Sequence, residues 1–505
     1  MSKSGKSLLA LSSFMLMGFL VFSPALRIGF LGDFAGDLYG SQQNWFNFAA
    51  YQWNFYVPAM AIYAGLYKAF HLSPLPYHVV HLSLIFLNAW LVYLLAQELK
   101  FESWQCWVAG FLALFNSTAF ETYFWLSTIP KVLATGCGLA ALICLSRLRQ
   151  KRASMWGWGY LIMVAIGMSL ESTGLILPLL GLALDTSYRP WQVSEADKVN
   201  PLPGLRLHFW SFGSAGIFLL IRHFLGIKPY VTNIPLIKKY LTLTRTIFSS
   251  FFHAISEPFL FAVNGITPVS IVLVLVLLMV LTWDWYVKQG PDRRRFAAVL
   301  LMWLTACLPH TIGANFQSRY LYFPGIFAAL VLADLLGTLR LRLSAQKLVW
   351  PVISLVILGY LATDLYAFRQ SITYYMEATR IYDAGIQKIR SDLPEKPDSI
   401  RLVLVDFPDS ISRPRVTRQG HHDGYRILVF RNALPWHLRL LYQNSDLNVT
   451  LLRLSDPTGD DNPEPLGTPA SPEQLAKLLT SPQTVVWRYL PENPEKFALI
   501  KNPRP

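Results

Sequence analysis

The sequence is poor in charged residues, which occupy only 15% of its 505 positions. A soluble protein carries about 25% charged residues. Charge is scarce from residue 7 to about residue 367 and ordinary from about residue 370 onward. This distribution excludes one large soluble core. It predicts a membrane domain over residues 1–367, followed by a small domain outside the bilayer over residues 368–505.

Cysteine is also scarce, and its placement excludes a disulfide framework. No pair has the spacing of a metal site. The four cysteines lie in or beside apolar segments: Cys106, Cys137, Cys144 and Cys307.

Acidic residues are outnumbered, because 30 Asp and Glu oppose 44 Lys and Arg and leave a net charge of +14. In a soluble protein this excess would indicate a nucleic-acid partner. Here the basic residues cluster in short loops between apolar segments, which is typical of the cytoplasmic face of a membrane protein. We therefore expect membrane lipid as a partner and no nucleic acid.

Long apolar runs are abundant. A helix needs about 20 apolar residues to cross a bilayer, and this rule predicts a polytopic α-helical membrane protein with about 11 crossings. Basic residues place the N-terminus and the loops near 147–152, 293–295 and 340–347 in the cytoplasm. The first outer loop, 28–76, and the C-terminal domain then lie outside, at the plasma membrane, which is the inner membrane if the protein is bacterial. The predicted spans are 7–27, 77–97, 104–120, 129–147, 157–173, 174–186, 207–226, 268–287, 297–312, 322–340 and 348–367.

An acidic stretch follows the first apolar run. Asp33 and Asp37 are four residues apart, so they share a face if the stretch is helical. Ionisable residues beside a membrane are costly and are often functional, although Asp also commonly caps helices. An aromatic run, 45–56, follows. Residues 57–70 then predict a helix that begins at a proline and is too short to span the bilayer.

The tail changes character and predicts a small α/β domain outside the membrane. Its alternating apolar residues indicate strands, and its amphipathic stretches indicate helices. The strands are expected at 400–405, 426–430, 449–454 and 485–489, and the helices at 373–393, 433–442 and 472–480.

Four local patterns occur in one order along the membrane domain. They are the Asp33 and Asp37 loop; Val57-Pro58 leading to His78 and His81; Glu121-x3-Trp125 with Ser169-Leu170-Glu171; and Arg319-Tyr320-Leu-Tyr322-Phe-Pro324. Together they resemble the polytopic GT-C glycosyltransferases, most closely the protein O-mannosyltransferase type and its bacterial relatives. The likeness spans about residues 30–340. The chain departs from the family where Val57 replaces an Arg, where Leu170 replaces a Lys, and where three residues separate the two acidic positions.

The resemblance implies a sugar donor carried on polyprenyl phosphate. It also implies transfer to a hydroxyl of a protein, glycan or lipid acceptor on the outer face, with inversion at the sugar. In the family an acidic residue of the first outer loop is the general base. Asp33 matches it best and Asp37 second. Arg319, flanked by Tyr320 and Tyr322, is expected at the lipid phosphate; the alternative is an Arg that reaches lipid headgroups.

Four further residues are candidates for the same site. His78 and His81 are three residues apart and share a helix face, so they would bind the phosphate or make polar contacts within the bundle. Glu121 and Glu171 would bind a sugar hydroxyl or support a metal ion. A divalent cation, Mg²⁺ or Mn²⁺, is compatible with these carboxylates, but no ligand spacing specifies one.

Two other functions stay open. A transporter or flippase for a lipid-linked glycan would hold ionisable residues near the midplane. A non-catalytic assembly partner would bind through the outer domain. Most ionisable residues are expected near the outer surface, which favours the enzyme, and Asp334 is the main exception. The outer set is Asp33, His78, Glu121, Glu171, Arg319 and Asp364.

Overall fold

The computed structural model describes most of the chain. The aromatic run at 45–56 lies outside the described residues. Described are residues 3–43, 57–151, 153–187, 202–224, 239, 242–244, 246–247, 249–250, 268–313, 318–342, 349–393, 400–411, 427–430, 433–444, 446–454, 464–465, 467–481, 483–490 and 497–501.

Up to residue 392, the described residues with regular structure are all helical. A helix occupies each of the predicted apolar segments, and the predicted helix at 57–70 has those bounds. The helices are α1 (Lys3–Phe22), α2 (Phe34–Ser41), α3 (Val57–Phe70), α4 (Pro74–Glu98), α5 (Ser103–Leu114), α6 (Phe120–Phe124), α7 (Ile129–Lys151), α8 (Ser154–Leu170), α9 (Leu177–Ser187), α10 (Leu202–Phe224), α11 (Pro268–Val287), α12 (Gly290–Gly313), α13 (Tyr322–Arg342) and α14 (Val349–Asp392).

Several of these helices are suited to a bilayer. Among the described residues, five are long and apolar enough to cross a membrane, and two shorter apolar helices follow the third of them. The helix observed at the predicted span 104–120 is shorter than expected, because α5 ends at Leu114. The five are Ser4–Arg27, Pro74–Glu98, Leu126–Gln150, Arg319–Arg340 and Trp350–Asp392.

Large apolar side chains cover the outside of the bundle. On α10, Phe209 is 73% exposed and Trp210 is 65% exposed. On α14, Leu355 is 73% exposed. Soluble monomers rarely expose apolar side chains in such density, so these faces fit contact with lipid.

Ion pairs join the helices at one end of the bundle. Two of them join the C-terminal ends of α4, α7 and α9 to one another. Three others join the C-terminal halves of α9 and α13 to the N-terminal parts of α10, α5 and α12, so the helices in each of these contacts run in opposite directions. The pairs are Arg147–Glu98, Arg149–Asp185, His208–Asp185, Arg340–Glu102, Lys288–Asp284, Lys288–Asp334 and Arg295–Asp334.

The most deeply buried of these pairs form a network between α11, α12 and α13. Asp284 and Asp334 are both inaccessible to solvent, and Lys288 bonds to both, with 2.6 Å from its Nζ to Asp284 Oδ2. Arg295 Nε donates to Asp334 Oδ1 at 2.9 Å. Two carboxylates are therefore matched by two cations, as buried charges require.

The last helix of the bundle, α14, continues without a break into the tail. It joins the predicted span 348–367 to the predicted amphipathic helix 373–393, so the expected domain boundary at residue 367 falls inside one helix of 44 residues. No proline interrupts residues 352–393, and hydrogen bonding along the backbone continues where the side chains turn from apolar to polar.

The tail after α14 folds as an α/β unit. Its main sheet has the strand order β6-β4-β1-β7-β8, with β1 parallel to both neighbours and β7 antiparallel to β8; β3, β2 and β5 form a second sheet. The elements are β1 (Arg401–Val405), β2 (Pro408–Ile411), β3 (Ile427–Leu428), α15 (Leu434–Tyr442), β4 (Asn448–Arg453), β5 (Glu464–Pro465), β6 (Thr468–Pro469), α16 (Pro472–Thr480), β7 (Thr484–Tyr489) and β8 (Phe497–Lys501).

Candidate functional site

Four charged side chains meet at the end of the bundle opposite the ion pairs. Glu121 lies on α6, and Lys131 lies in the first turn of α7. Glu171 directly follows α8, and Arg319 lies in the 3-10 turn Ser318–Leu321 ahead of α13. We call Glu121, Lys131, Glu171 and Arg319 the four-charge cluster.

Arg319 is held on two sides. Its Nη1 lies 3.5 Å from Glu121 Oε2, and its backbone N–H donates to the same oxygen at 3.1 Å. The guanidinium carbon lies 4.2 Å from the ring centroid of Trp125. Glu121 and Trp125 therefore fix the orientation of the guanidinium; the sequence placed both Glu121 and Arg319 in the site but did not predict that they pair.

Lys131 is a buried ammonium close to Glu171. Its Nζ lies 3.8 Å from Glu171 Oε1 and 4.3 Å from the ring centroid of Tyr320, and its side chain is 6% exposed. The Nζ makes no hydrogen bond to any residue that the structure describes. Buried polar groups are nearly always hydrogen-bonded, so three unused N–H donors point to an anionic ligand.

Glu171 is firmly placed by its own turn. Its carboxylate accepts a hydrogen bond from the Thr173 backbone N–H at 2.7 Å and one from Ser172 Oγ at 3.1 Å. The Thr173 hydroxyl donates to the same group. These bonds satisfy the carboxylate, which leaves the ammonium of Lys131 as the under-bonded member of the pair.

Lys131 was not predicted as a site residue from the sequence. A cation was expected at position 170, beside Glu171, where the chain has leucine. The structure supplies a cation near Glu171 from a different helix. The available signal was a lone lysine in the first turn of an apolar segment, a position where ionisable residues are rare and often functional.

Tyr320 lies between the two cations. The Arg319 guanidinium carbon is 5.2 Å from its ring centroid, while Lys131 Nζ lies 4.3 Å from it. The predicted neighbour of Arg319 therefore contacts both positive charges through its ring.

Tyr322, His78 and His81 lie inside the helical packing. Tyr322 is 1% exposed, and its hydroxyl accepts a hydrogen bond from Asn88 Nδ2 at 3.0 Å. His78 is inaccessible to solvent beside the backbone of Ile28 and Gly29. His78 therefore lies inside the bundle, but neither of its ring nitrogens hydrogen-bonds to a described residue.

His81 supports the cluster through Thr122. Its Nε2 lies 2.5 Å from the carbonyl oxygen of Thr122, and the Thr122 hydroxyl donates to the Arg319 carbonyl at 3.3 Å. His81 of α4 therefore contacts the backbone next to Glu121 directly, and Thr122 connects that backbone to the carbonyl of Arg319.

Asp33 and Asp37 lie at the start of α2 and one turn into it, and both are half-buried. The Asp33 side chain makes no capping hydrogen bond to α2, so the capping role does not account for it. Asp37 is electrostatically coupled to Tyr63. The Tyr63 hydroxyl donates to the Ser127 carbonyl at 3.2 Å.

This contact places the acidic helix beside the cluster. Ser127 belongs to the turn Leu126–Thr128, which runs from Trp125 to the helix that carries Lys131. The α2 helix also contacts that turn directly. The acidic helix and the four-charge cluster therefore lie at the same end of the bundle.

A metal site is not evident. Among the described residues, no group of three or more His, Cys, Asp or Glu side chains could hold a metal ion. Glu121 and Glu171 face Arg319 and Lys131 rather than each other, so this donor set does not suit a divalent cation, and we derive no step through one.

Comparison with known proteins finds no family model that matches this chain and no curated protein sequence with significant similarity to it. A function is therefore inferred from the residues and their arrangement.

Proposed function

We propose that the protein is a membrane glycosyltransferase of the GT-C type. It transfers a sugar from a polyprenyl phosphate to a hydroxyl of a protein, glycan or lipid acceptor. In this proposal the chain crosses the membrane about 11 times, with its N-terminus in the cytoplasm and the four-charge cluster at the outer face. The observation that carries the proposal is the pair of cations, Lys131 and Arg319, on the ring of Tyr320, at the same end of the bundle as the acidic helix α2, which contacts the turn Leu126–Thr128 ahead of Lys131.

The two cations suit a phosphate that departs from a sugar. Arg binds phosphate oxygens with a planar fork of donors, and Glu121 and Trp125 fix the orientation of that fork. Lys131 adds a second positive charge, whose N–H donors make no hydrogen bond within the described part of the chain. Donors that are aimed in advance at developing negative charge stabilise the transition state without further reorganisation.

A carboxylate of α2 completes the chemistry. Asp33, or Asp37 in second place, takes the proton of the acceptor hydroxyl as that oxygen attacks the anomeric carbon. The bond from the anomeric carbon to the phosphate oxygen breaks, and the polyprenyl phosphate leaves with the electron pair beside the two cations. Attack opposite the leaving group inverts the anomeric centre.

The transporter alternative has less support. Its strongest feature is the buried network at the other end of the bundle, but there Lys288 and Arg295 already neutralise Asp284 and Asp334. A balanced network of this kind is suited to holding helices together.

The test is a transfer assay with purified protein in lipid nanodiscs and a panel of labelled polyprenyl-phosphate sugars. The wild type should release sugar from at least one donor, and Asp33→Asn should lower that rate by about 10²–10⁴-fold, the contribution of general base catalysis. Arg319→Gln should weaken donor use. Arg340→Gln is the matched control, because Arg340 pairs with Glu102 at the far end of the bundle.

Three results would contradict parts of the proposal. Full activity in Asp33→Asn would remove Asp33 as the base, and full activity in both Asp33→Asn and Asp37→Asn would remove the acidic helix from the reaction. Equal losses in Arg319→Gln and Arg340→Gln would show that arginine removal acts only on folding.

A further inference from the structure

The C-terminal domain is attached to the acidic loop, which we define as residues 28–42. The Gly32 backbone N–H, next to Asp33, donates to the Val429 carbonyl at 3.0 Å. The Gly29 backbone N–H donates to Thr379 Oγ1 of α14 at 3.0 Å. These bonds join segments that are hundreds of residues apart, so the loop reaches its position only when the C-terminal domain is folded against it.

Aromatic contacts extend this attachment along α2. The rings of Tyr39 and Trp436 lie 4.8 Å apart, and the Arg439 guanidinium carbon lies 5.9 Å from the Tyr39 ring centroid. Phe30 lies 6.3 Å from the His437 ring. All three partners in the C-terminal domain come from α15, and their contacts lie on both sides of the two acidic residues.

The α2 helix meets Ala433 and Trp436 at Gly36, which lies between Asp33 and Asp37 in the sequence. A β-carbon at Gly36 would lie 3.4 Å from Trp436 Cδ1 and 3.7 Å from Ala433 Cβ. The α2 helix has only eight residues, and isolated helices shorter than about 12–15 residues are marginal in water. The α2 helix therefore depends on packing for its stability, and α15 supplies one of its faces.

We propose that α15 is a positioning element for sugar transfer, with Trp436 as its central side chain. This inference rests on the proposed function. The C-terminal domain acts on the reaction by holding the acidic helix, and therefore the base, in place beside the cations.

The first test removes the stacking contact. Trp436→Ala should lower kcat at least 10-fold with little change in the KM for the donor, because Lys131 and Arg319 are untouched. Trp436→Phe, which keeps an aromatic face, should recover most of kcat. Amide hydrogen exchange of residues 34–41 should rise about 10-fold or more in Trp436→Ala and stay near the wild-type rate in Trp436→Phe.

The second test fixes the two helices together. A distance of 3.7 Å between β-carbons is in the range of disulfides, about 3.5–4.5 Å, so the pair Gly36→Cys and Ala433→Cys should oxidise readily in the full-length protein. Its transfer rate should be the same before and after reduction. The control pair is Gly65→Cys with Ala433→Cys, since a β-carbon at Gly65 meets no atom within 4 Å.

The outcomes separate the two proposals. An inactive wild type refutes the proposed function and the positioning role that rests on it. An active wild type with no cross-link refutes the positioning role alone. An oxidised pair that loses activity and regains it on reduction also refutes that role, because the attached state would then be the inhibited one.

Discussion

Substitution of Lys131 or Glu171 is the most direct test of the proposed phosphate site. The two charged groups are 3.8 Å apart and largely shielded from water. At that distance an effective dielectric constant near 20 gives an attraction of about 4 kcal/mol before desolvation. Removing one member of a buried pair typically destabilises a protein by about 3–5 kcal/mol, because the other charge is left uncompensated.

We therefore expect Lys131→Met and Glu171→Gln each to lower the free energy of unfolding by about 3 kcal/mol. The double variant should lose less than either single variant, since no unpaired charge remains. Thermal unfolding in one detergent, followed by tryptophan fluorescence, measures all four proteins on the same scale.

The affinity for a polyprenyl phosphate should rank these variants in a different order from their stability. Loss of a hydrogen bond to a charged group costs about 1.5–3 kcal/mol, or about 10–150-fold in Kd. Lys131→Met and the double variant should therefore bind farnesyl phosphate, a short polyprenyl phosphate, at least 10-fold more weakly than the wild type. Glu171→Gln should bind it as tightly or more tightly, because the ammonium has lost its competing carboxylate.

A double variant that binds farnesyl phosphate as tightly as the wild type would refute this reasoning. Lys131 would then serve only to neutralise Glu171. Arg340→Gln, at the other end of the bundle, should leave binding unchanged and controls for general effects of charge removal.

Two further predictions concern stability. Burial lowers the pKa of His437 to about 4, so between pH 6.5 and 4 this side chain takes up a proton in the unfolded chain but not in the folded protein. The free energy of unfolding should therefore fall by up to about 3 kcal/mol as the pH is lowered from 6.5 to 4. In a series of melting curves over this pH range, His437→Gln should show a smaller change than the wild type. Gly174→Ala should destabilise by about 1–3 kcal/mol, because a β-carbon there would lie 2.2 Å from the Gly167 carbonyl oxygen and would displace the turn Ser172–Ile176. Gly65→Ala, in open space, should change the melting temperature little.

The helical segments could be predicted because their signal is local. A run of apolar residues marks each of them, and Pro58 marks the start of α3 in the first turn of Val57–Phe70. The strands at 401–405, 448–453 and 484–489 were predicted from short apolar runs in the same way. The strand Phe497–Lys501 was missed, because it is short and gains its partner only by pairing with β7.

The continuous α14 was not predicted for a related reason. Its sequence changes from continuously apolar to amphipathic near residue 367, and a prediction based on hydropathy ends the membrane helix at that point. Helical hydrogen bonds depend on the backbone, which carries no interruption at that point.

The candidate site could be predicted only in part. The motif around Arg319 and the lone Glu121 were visible, but their pairing joins residues 198 positions apart. The role of Lys131 depends on its distance to Glu171 and Tyr320, and the support of α2 by α15 depends on contacts across the whole chain. No local pattern contains such information.

The length of α14 has a mechanical consequence. At about 1.5 Å per residue, its 44 residues form a rod of about 66 Å, roughly twice the thickness of the hydrocarbon layer. A rod of this length transmits any tilt imposed by a thinner or thicker bilayer to whatever is fixed to its far end. In the proposed topology that end carries Thr379, which holds Gly29 of the acidic loop. The reaction rate of this protein should therefore vary with lipid chain length, even when the donor is the same.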